Sequence, residues 1–193
     1  MPGVKFTFDA EKANEAIALL ASLGLPGLTK YKICKLLFLA DAHHLVKFAR
    51  PISGDRICAM QAGPVPSRVL NILNAVIDGN SSDQDAAALA ELVEVDRRFQ
   101  HPRFSARKKV EQFALSESDI DSLKTVAAIH GKRSEFEFLH FLPAYVKAWE
   151  SRSHGSPKMS FEDLFIDNED ALAGVLENMK ETDKVKREFL RLA

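Results

Sequence analysis

The chain has 193 residues and a mass of 21.5 kDa, enough to bury one core of its own and slightly long for the commonest single domain. Hydrophobic residues make up 46% and charged residues 27%, and no window approaches the roughly 18 apolar residues of a membrane span, which excludes a spanning helix. A net charge of -1 with a pI near 6.6 supplies no global attraction for phosphate backbones, so nucleic-acid binding would require a local patch.

The opening MPGVKFTF lacks the basic and apolar regions of a secretory signal, so a cytoplasmic protein is expected. Asp9 precedes a first amphipathic helix in which Ala13, Ala16, Ile17, Leu20 and Leu23 recur at helical spacing and Gly24 stands at the C-terminal cap. Thr29 is placed to cap a second, longer helix with Ile33, Leu36, Leu37 and Ala40 as its apolar stripe. This helix should end before Pro51, because the residue ahead of a proline is pushed out of the helical region. RICAMQ then reads as a short strand, and GPVP as a stiff extended loop leading to Ser67, the predicted cap of a third helix. In that helix Val69, Leu70, Leu73, Val76 and Ile77 face inward, and Gly79 closes it.

NSSDQD is a loop, AALAEL a short helix at best, and VEVDRRF, PRFSARKK and VEQFAL read as two or three short strands or extended loops. Ser116 and Asp119 have capping-box spacing at the start of a further helix carrying Ile120, Leu123, Ala127 and His130, and Ser134 with Glu137 repeats the pattern. Pro143 is predicted in the first turn of a new helix. After Trp149, ESRSHGSPK reads as a linker, Ser160 to Phe165 as a small amphipathic element, and the last residues as a charged helix carrying Leu172, Val175, Leu176 and Met179. The fold class is therefore mainly α (α+β): a single helical domain over residues 1–155 with a small β ribbon, then a C-terminal helical extension over 156–193.

Cys34 and Cys58 are the only cysteines, lack CxxC spacing, and are expected as reduced buried thiols. Neither His43 with His44 nor His140 with His154 has ligand spacing, so no metal is expected; no glycine-rich nucleotide fingerprint or GxSxG calls for a cofactor or a nucleophile. Leu37, Asp41 and His44 share the helix face that carries Ile33, so a carboxylate and an imidazole stand where apolar groups belong. Each requires a partner, since burying either alone costs several kcal/mol, roughly. The candidates are each other, Arg56, and the backbone of the GDR turn. Either a hydrogen-bonded brace fixes that turn, or the two residues form an acid/base pair in a cleft; the brace is favoured because no nucleophile, metal motif or phosphate loop stands nearby. Gly63, Pro64, Val65 and Pro66 likewise suit either a structural corner or a stiff recognition loop, the corner being favoured on composition. The run Arg97, Arg98, Arg103, Arg107, Lys108 and Lys109, interleaved with Phe99 and Phe104, is the best nucleic-acid signal, and a solvated hairpin face explains it equally well.

KLLFLADAHHLVKFARPISGDRICAMQAGPVPS, residues 35–67, resembles the signature of the Panacea domain, the SocA-like antitoxin family. The matching positions are Lys35 to Asp41, His44, Arg50 to Ile52, Gly54 to Arg56, Ala59, Met60 and Gly63 to Pro66, with LSESD and Trp149 extending the resemblance over about residues 9–150. Ala62 stands where the family has an aromatic, and Leu139 with His140 where it has a Ser-His pair. The resemblance implies an antitoxin of a bacterial or phage toxin-antitoxin module, not an enzyme, whose partner is a cognate protein toxin neutralised by direct binding. It also implies delivery to an AAA+ protease as a further role. Asp41, His44, Asp55, Arg56, Met60, Gly63, Pro64, Val65 and Pro66 are the expected partner-binding or bracing residues, and neither nucleic acid nor a membrane is expected as a partner. The rivals are an enzyme using the Asp41 and His44 pair with Arg56 binding an anion, and a nucleic-acid binder acting through 97–109.

Overall fold

The computed structural model of the chain describes residues 6–60, 62–107, 113–145, 174–177 and 180. Among these, α1 (Ala10–Ser22), α2 (Lys30–Phe48), β1 (Ile57–Met60), β2 (Gly63–Pro66), α3 (Ser67–Asp78), α4 (Gln84–Leu92), β3 (Val93–Asp96), β4 (Arg103–Ala106), α5 (Glu117–His130) and α6 (Glu135–Tyr145) follow one another. The fold is mainly α with two antiparallel two-stranded ribbons, β1–β2 and β3–β4. No described helix is long and apolar enough to cross a membrane.

The helix starts follow from local chemistry. The Asp9 side chain accepts from the Lys12 amide and the Thr29 side chain from the Lys32 amide. Ser116 and Asp119 form a reciprocal capping box at α5. The Ser134 amide donates to Glu137 Oε2 at 2.6 Å and starts α6 in the same way. α2 ends on Ala49, which takes a left-handed conformation two residues ahead of Pro51.

α2 is the central rod. Every residue from 32 to 41 is buried, a pattern expected of a helix surrounded on all sides. Ile33, Leu36, Leu37, Phe38 and Ala40 pack with Ala13, Ala16, Ile17 and Leu20 of α1, Val69, Ile72 and Leu73 of α3, Leu123 and Val126 of α5, and Phe138 of α6 in one core. Cys34 is buried and Cys58 half-buried, both as free thiols. In α3, Leu70 and Ile77 are half-buried while Ile72 joins Val69, Leu73 and Val76 inside.

Three expectations are corrected. GPVP is the strand β2, and it supplies the partner that RICAM needs: Ile57 to Met60 pair antiparallel with Pro66 to Gly63, which makes the isolated extended run into a ribbon. Ser67 is the first helical residue of α3; Pro66 holds the cap position and makes no side-chain cap bond. Pro143 lies late in α6, which runs without a break from Glu135, because the Ser134–Glu137 cap and the buried Phe138 fix the helix start well before the proline. VEVD and RFSA are strands β3 and β4. The predicted linker after Trp149 and the element at 160–165 lie outside the described residues, as does most of the C-terminal helix. Residues 174–177 are helical and Val175 is buried.

Candidate functional site

The stretch between α2 and the first turn of α3 is tied down by Tyr31, Lys35, Asp41 and His44 of α2 and by Asp55 of the stretch itself. Asp41, on the inward face of α2, accepts from the Ile52 amide at 2.8 Å and the Ser53 amide at 3.0 Å through Oδ1, and from the Ser53 hydroxyl at 2.7 Å through Oδ2. Both Asp41 and Ser53 are buried. Burial pushes the Asp41 carboxyl up to about 6, although the Ser53 and Ile52 hydrogen bonds oppose the rise, because no cation faces it.

Asp55 does the work predicted for Ser67. Its Oδ1 accepts from the Arg68 amide at 3.1 Å and its Oδ2 from the Val69 amide at 2.9 Å, so the carboxylate caps the first turn of α3 from twelve residues upstream of that turn. Pro66 frees the cap position of any side-chain acceptor, and an acceptor brought by the GDR turn replaces it. Burial raises the Asp55 carboxyl, with the Val69 and Arg68 amides opposing.

Lys35 is fully buried, and its Nζ donates to the Pro64 carbonyl at 2.8 Å while lying 5.0 Å from the centre of the Tyr31 ring. Burial pushes this ammonium down to about 7. Tyr31 Oη donates to the Ala62 carbonyl at 3.1 Å, so an aromatic from α2 meets the corner at the position where the sequence carries alanine. Gly63 has φ of +97°, which favours glycine, and a Cβ there would lie 2.9 Å from Lys35 Nζ, so the ammonium would have to shift. Gly54 is also constrained: at φ +66°, a Cβ would fall 2.3 Å from the Thr7 carbonyl oxygen.

His44 is fully buried and turns away from this corner toward α5. Its Nδ1 lies 2.7 Å from the Arg50 carbonyl, which can only accept, so Nδ1 carries a proton. Its Nε2 lies 3.2 Å from Ser118 Oγ and 3.1 Å from Asp119 Oδ1. Burial lowers the His44 pKa, and the Arg50 charge lowers it further against the Arg50 carbonyl and Asp119. Asp119 gathers a second group of partners: Lys12 Nζ at 2.8 Å, Arg50 Nη1 at 2.9 Å and the Ser116 amide at 3.0 Å. Burial pushes the Asp119 carboxyl up, but the Lys12 and Ser116 hydrogen bonds and the Arg50 charge outweigh it and hold the group below the usual range.

The sequence-predicted residues thus separate. Asp41 and His44 each spend their hydrogen bonds elsewhere and form no acid/base pair. Asp41 holds the turn, His44 joins α2 to α5, and Arg56 is exposed and contributes its carbonyl, which accepts from the Ser67 amide at 3.0 Å. Gly63, Pro64, Val65 and Pro66 are all buried, whereas Met60 on the outer strand is 46% exposed. Among the described residues no cluster of metal-ligating side chains occurs.

Sequence reasoning passed over Lys35, Ser53, Lys12 and Arg50, and saw Asp119 only as a cap. Lys32 and Lys35 did leave a signal, since they interrupt a run apolar on every side and a lysine so placed must find an acceptor. The basic run also resolves differently from its appearance. Arg97 donates to the Val76 and Ile77 carbonyls at the end of α3, Arg107 to the Ala90 and Val93 carbonyls at the end of α4, and Arg98 pairs with Asp96 at 2.7 Å. Lys108 and Lys109 lie outside the described residues. Arg97 and Arg107 close helices and Arg98 a turn, while Arg103 lies over the Phe99 ring, so the run does not form one cationic face.

The domain family described as Antitoxin SocA-like, Panacea domain matches residues 33–150. That is more than half of the chain, and it includes most of α2, the corner, both ribbons and α5. This chain belongs to the SocA-like antitoxin Panacea family. No curated protein and no solved structure matches it. The Panacea match begins inside α2, and α1 lies ahead of it while contributing to the same core.

Proposed function

We propose that this Panacea protein is an antitoxin that neutralises a cognate protein toxin in the cytoplasm by binding it directly, without turnover. The observation that carries the reading is the commitment of the signature's polar side chains to the protein's own backbone: Lys35, Asp41 and Asp55 serve the carbonyl of Pro64 and the amides of 52–53 and 68–69. Groups so engaged stiffen a scaffold and are poorly placed to exchange protons with a substrate. α1 belongs to the same domain on this reading, which ends near residue 155.

The buried corner supports the binding surface and does not itself touch the toxin. It fixes β1, with Arg56 and Met60 exposed, and β2 packs against α6, where Phe136 is 68% and Leu139 42% exposed. Large apolar side chains held on rigid elements suit a protein interface, because little side-chain or backbone entropy is lost on docking. The test is to co-express the chain with the product of the neighbouring gene. Growth arrest by that product, rescue by this chain and a stable complex of the two are expected. Phe136→Asp should abolish rescue with an unchanged melting temperature, and failure of the wild-type chain to rescue or bind would overturn the reading. The half-life of the toxin with and without the chain separates occlusion from delivery to a protease.

A further inference from the structure

A groove of about 480 Å³ opens between the loop before α2, the β3–β4 turn and the start of α6. Arg103 and Lys132 line it together with Phe99 and His101, and so do Lys32, whose buried Nζ donates to the Pro26 carbonyl at 2.6 Å, and Arg133, which donates to the His130 ring at 3.2 Å. One carboxylate, Glu135, also lines it and takes a hydrogen bond from Thr29 Oγ1, so the cations of the lining exceed its acids in a chain whose net charge is -1; Glu137 caps α6 through the Ser134 amide and hydroxyl. Arg103 lies over the exposed Phe99 ring, its Cζ 3.6 Å from the ring centre, a cation–π contact that holds the guanidinium at the groove. The groove floor is rigid, since Phe104 donates to the Leu28 carbonyl at 2.8 Å and Arg103 bridges to Thr29.

We propose that this groove receives an acidic segment of a protein partner, a few residues carrying two or more carboxylates. The proposal rests on the reading that the chain works by binding a protein, and it names the chemistry of one contact. An arginine held in place pairs with a carboxylate through two parallel hydrogen bonds, and a second cation nearby fixes the following residue. A nucleic acid is the poorer occupant. Its affinity comes from several phosphates neutralised along a track, and outside the groove Arg97, Arg98 and Arg107 are spent on carbonyls and Asp96.

The experiment measures fluorescence anisotropy of a labelled hexapeptide of Asp and Glu with one Tyr against the full chain at low salt. Binding that weakens with added salt is expected, together with a loss of about tenfold or more in an Arg103→Glu/Lys132→Glu variant. Lys124→Glu, exposed on α5 and outside the groove, should bind as the wild type does. An Arg103→Gln/Lys132→Gln variant with an unchanged melting temperature must show the same direction of loss. Absence of peptide binding at low salt, equal binding by the groove variants, or tighter binding of a single-stranded oligonucleotide of equal charge would overturn the proposal. Co-expression separates this result from the function above. A toxin still bound and neutralised by the groove variants removes the groove alone, whereas a neighbouring product that even the wild-type chain does not bind removes the antitoxin reading.

Discussion

Asp41 and Asp119 are the same residue type, both buried beside α2, and their carboxyls move in opposite directions. Asp41 faces two amides and a hydroxyl, and burial prevails. Asp119 faces Lys12, Arg50 and an amide, and the Lys12 and Ser116 hydrogen bonds together with the Arg50 charge prevail. Burial alone therefore does not fix the pKa of an interior carboxylate; the hydrogen bonds and charges of its partners decide it with burial. The two sites also hold different objects. Asp41 secures a turn within the signature segment, whereas Asp119 joins α1, α2 and α5, which are distant in sequence.

The largest effect is expected at the charged site. Asp119→Ala leaves Lys12, Arg50 and His44 facing one another without a counter-charge and removes half of the α5 capping box, so a loss of about 3–5 kcal/mol is expected in urea unfolding. Asp41→Ala should cost less, about 2–4 kcal/mol, because the groups left unsatisfied are neutral donors of residues 52 and 53. A result in which the second variant is the more damaged would reverse the comparison.

pH sharpens it. The Asp41 carboxyl titrates near 6 when folded against an ordinary value of 3.8, so its contribution to stability is full below about pH 4 and is lost as pH rises through about 6. Asp41→Asn keeps an acceptor for both amides and abolishes the titration, so it should gain on the wild type between pH 4 and 7. Asp119 behaves oppositely: held low, it contributes above the ordinary carboxylate value, and that contribution is lost as pH falls through its depressed folded value. Asp119→Asn should therefore approach the wild type only in acid. Unfolding curves of both variants across that range, with parallel slopes against pH, would remove the distinction.

Smaller changes probe the corner alone. Gly54→Ala puts a Cβ onto the Thr7 carbonyl at a left-handed angle and should cost about 1–3 kcal/mol, read as a lowered melting temperature. Arg56→Ala should shift stability by no more than about 0.5 kcal/mol, since the exposed side chain serves nothing and its carbonyl is retained.

Much of the helical framework was legible because capping and periodicity are local. Asp9, Thr29 and the Ser116–Asp119 box lie within three residues of the amides they satisfy. The ribbon was half legible: Ile57 to Met60 alternated like a strand, but its partner contains two prolines, which conceal a strand in composition. At the site, the polar residues on the inward face of α2 announced that partners must exist, and nothing in their spacing said which.

By itself, then, the sequence determined the helix starts at Asp9, Thr29, Ser116 and Ser134, the buried stripe of α2 and the Panacea signature, since each depends on neighbours a few positions away. Only the tertiary structure decided that Asp55 caps α3, that His44 belongs with Asp119 and not Asp41, that Lys35 supports Pro64, and that Arg97 and Arg107 of the basic run close helices. These pairings follow from where packed helices place their side chains, and a chain read residue by residue carries no distance between positions that meet only after the core has formed.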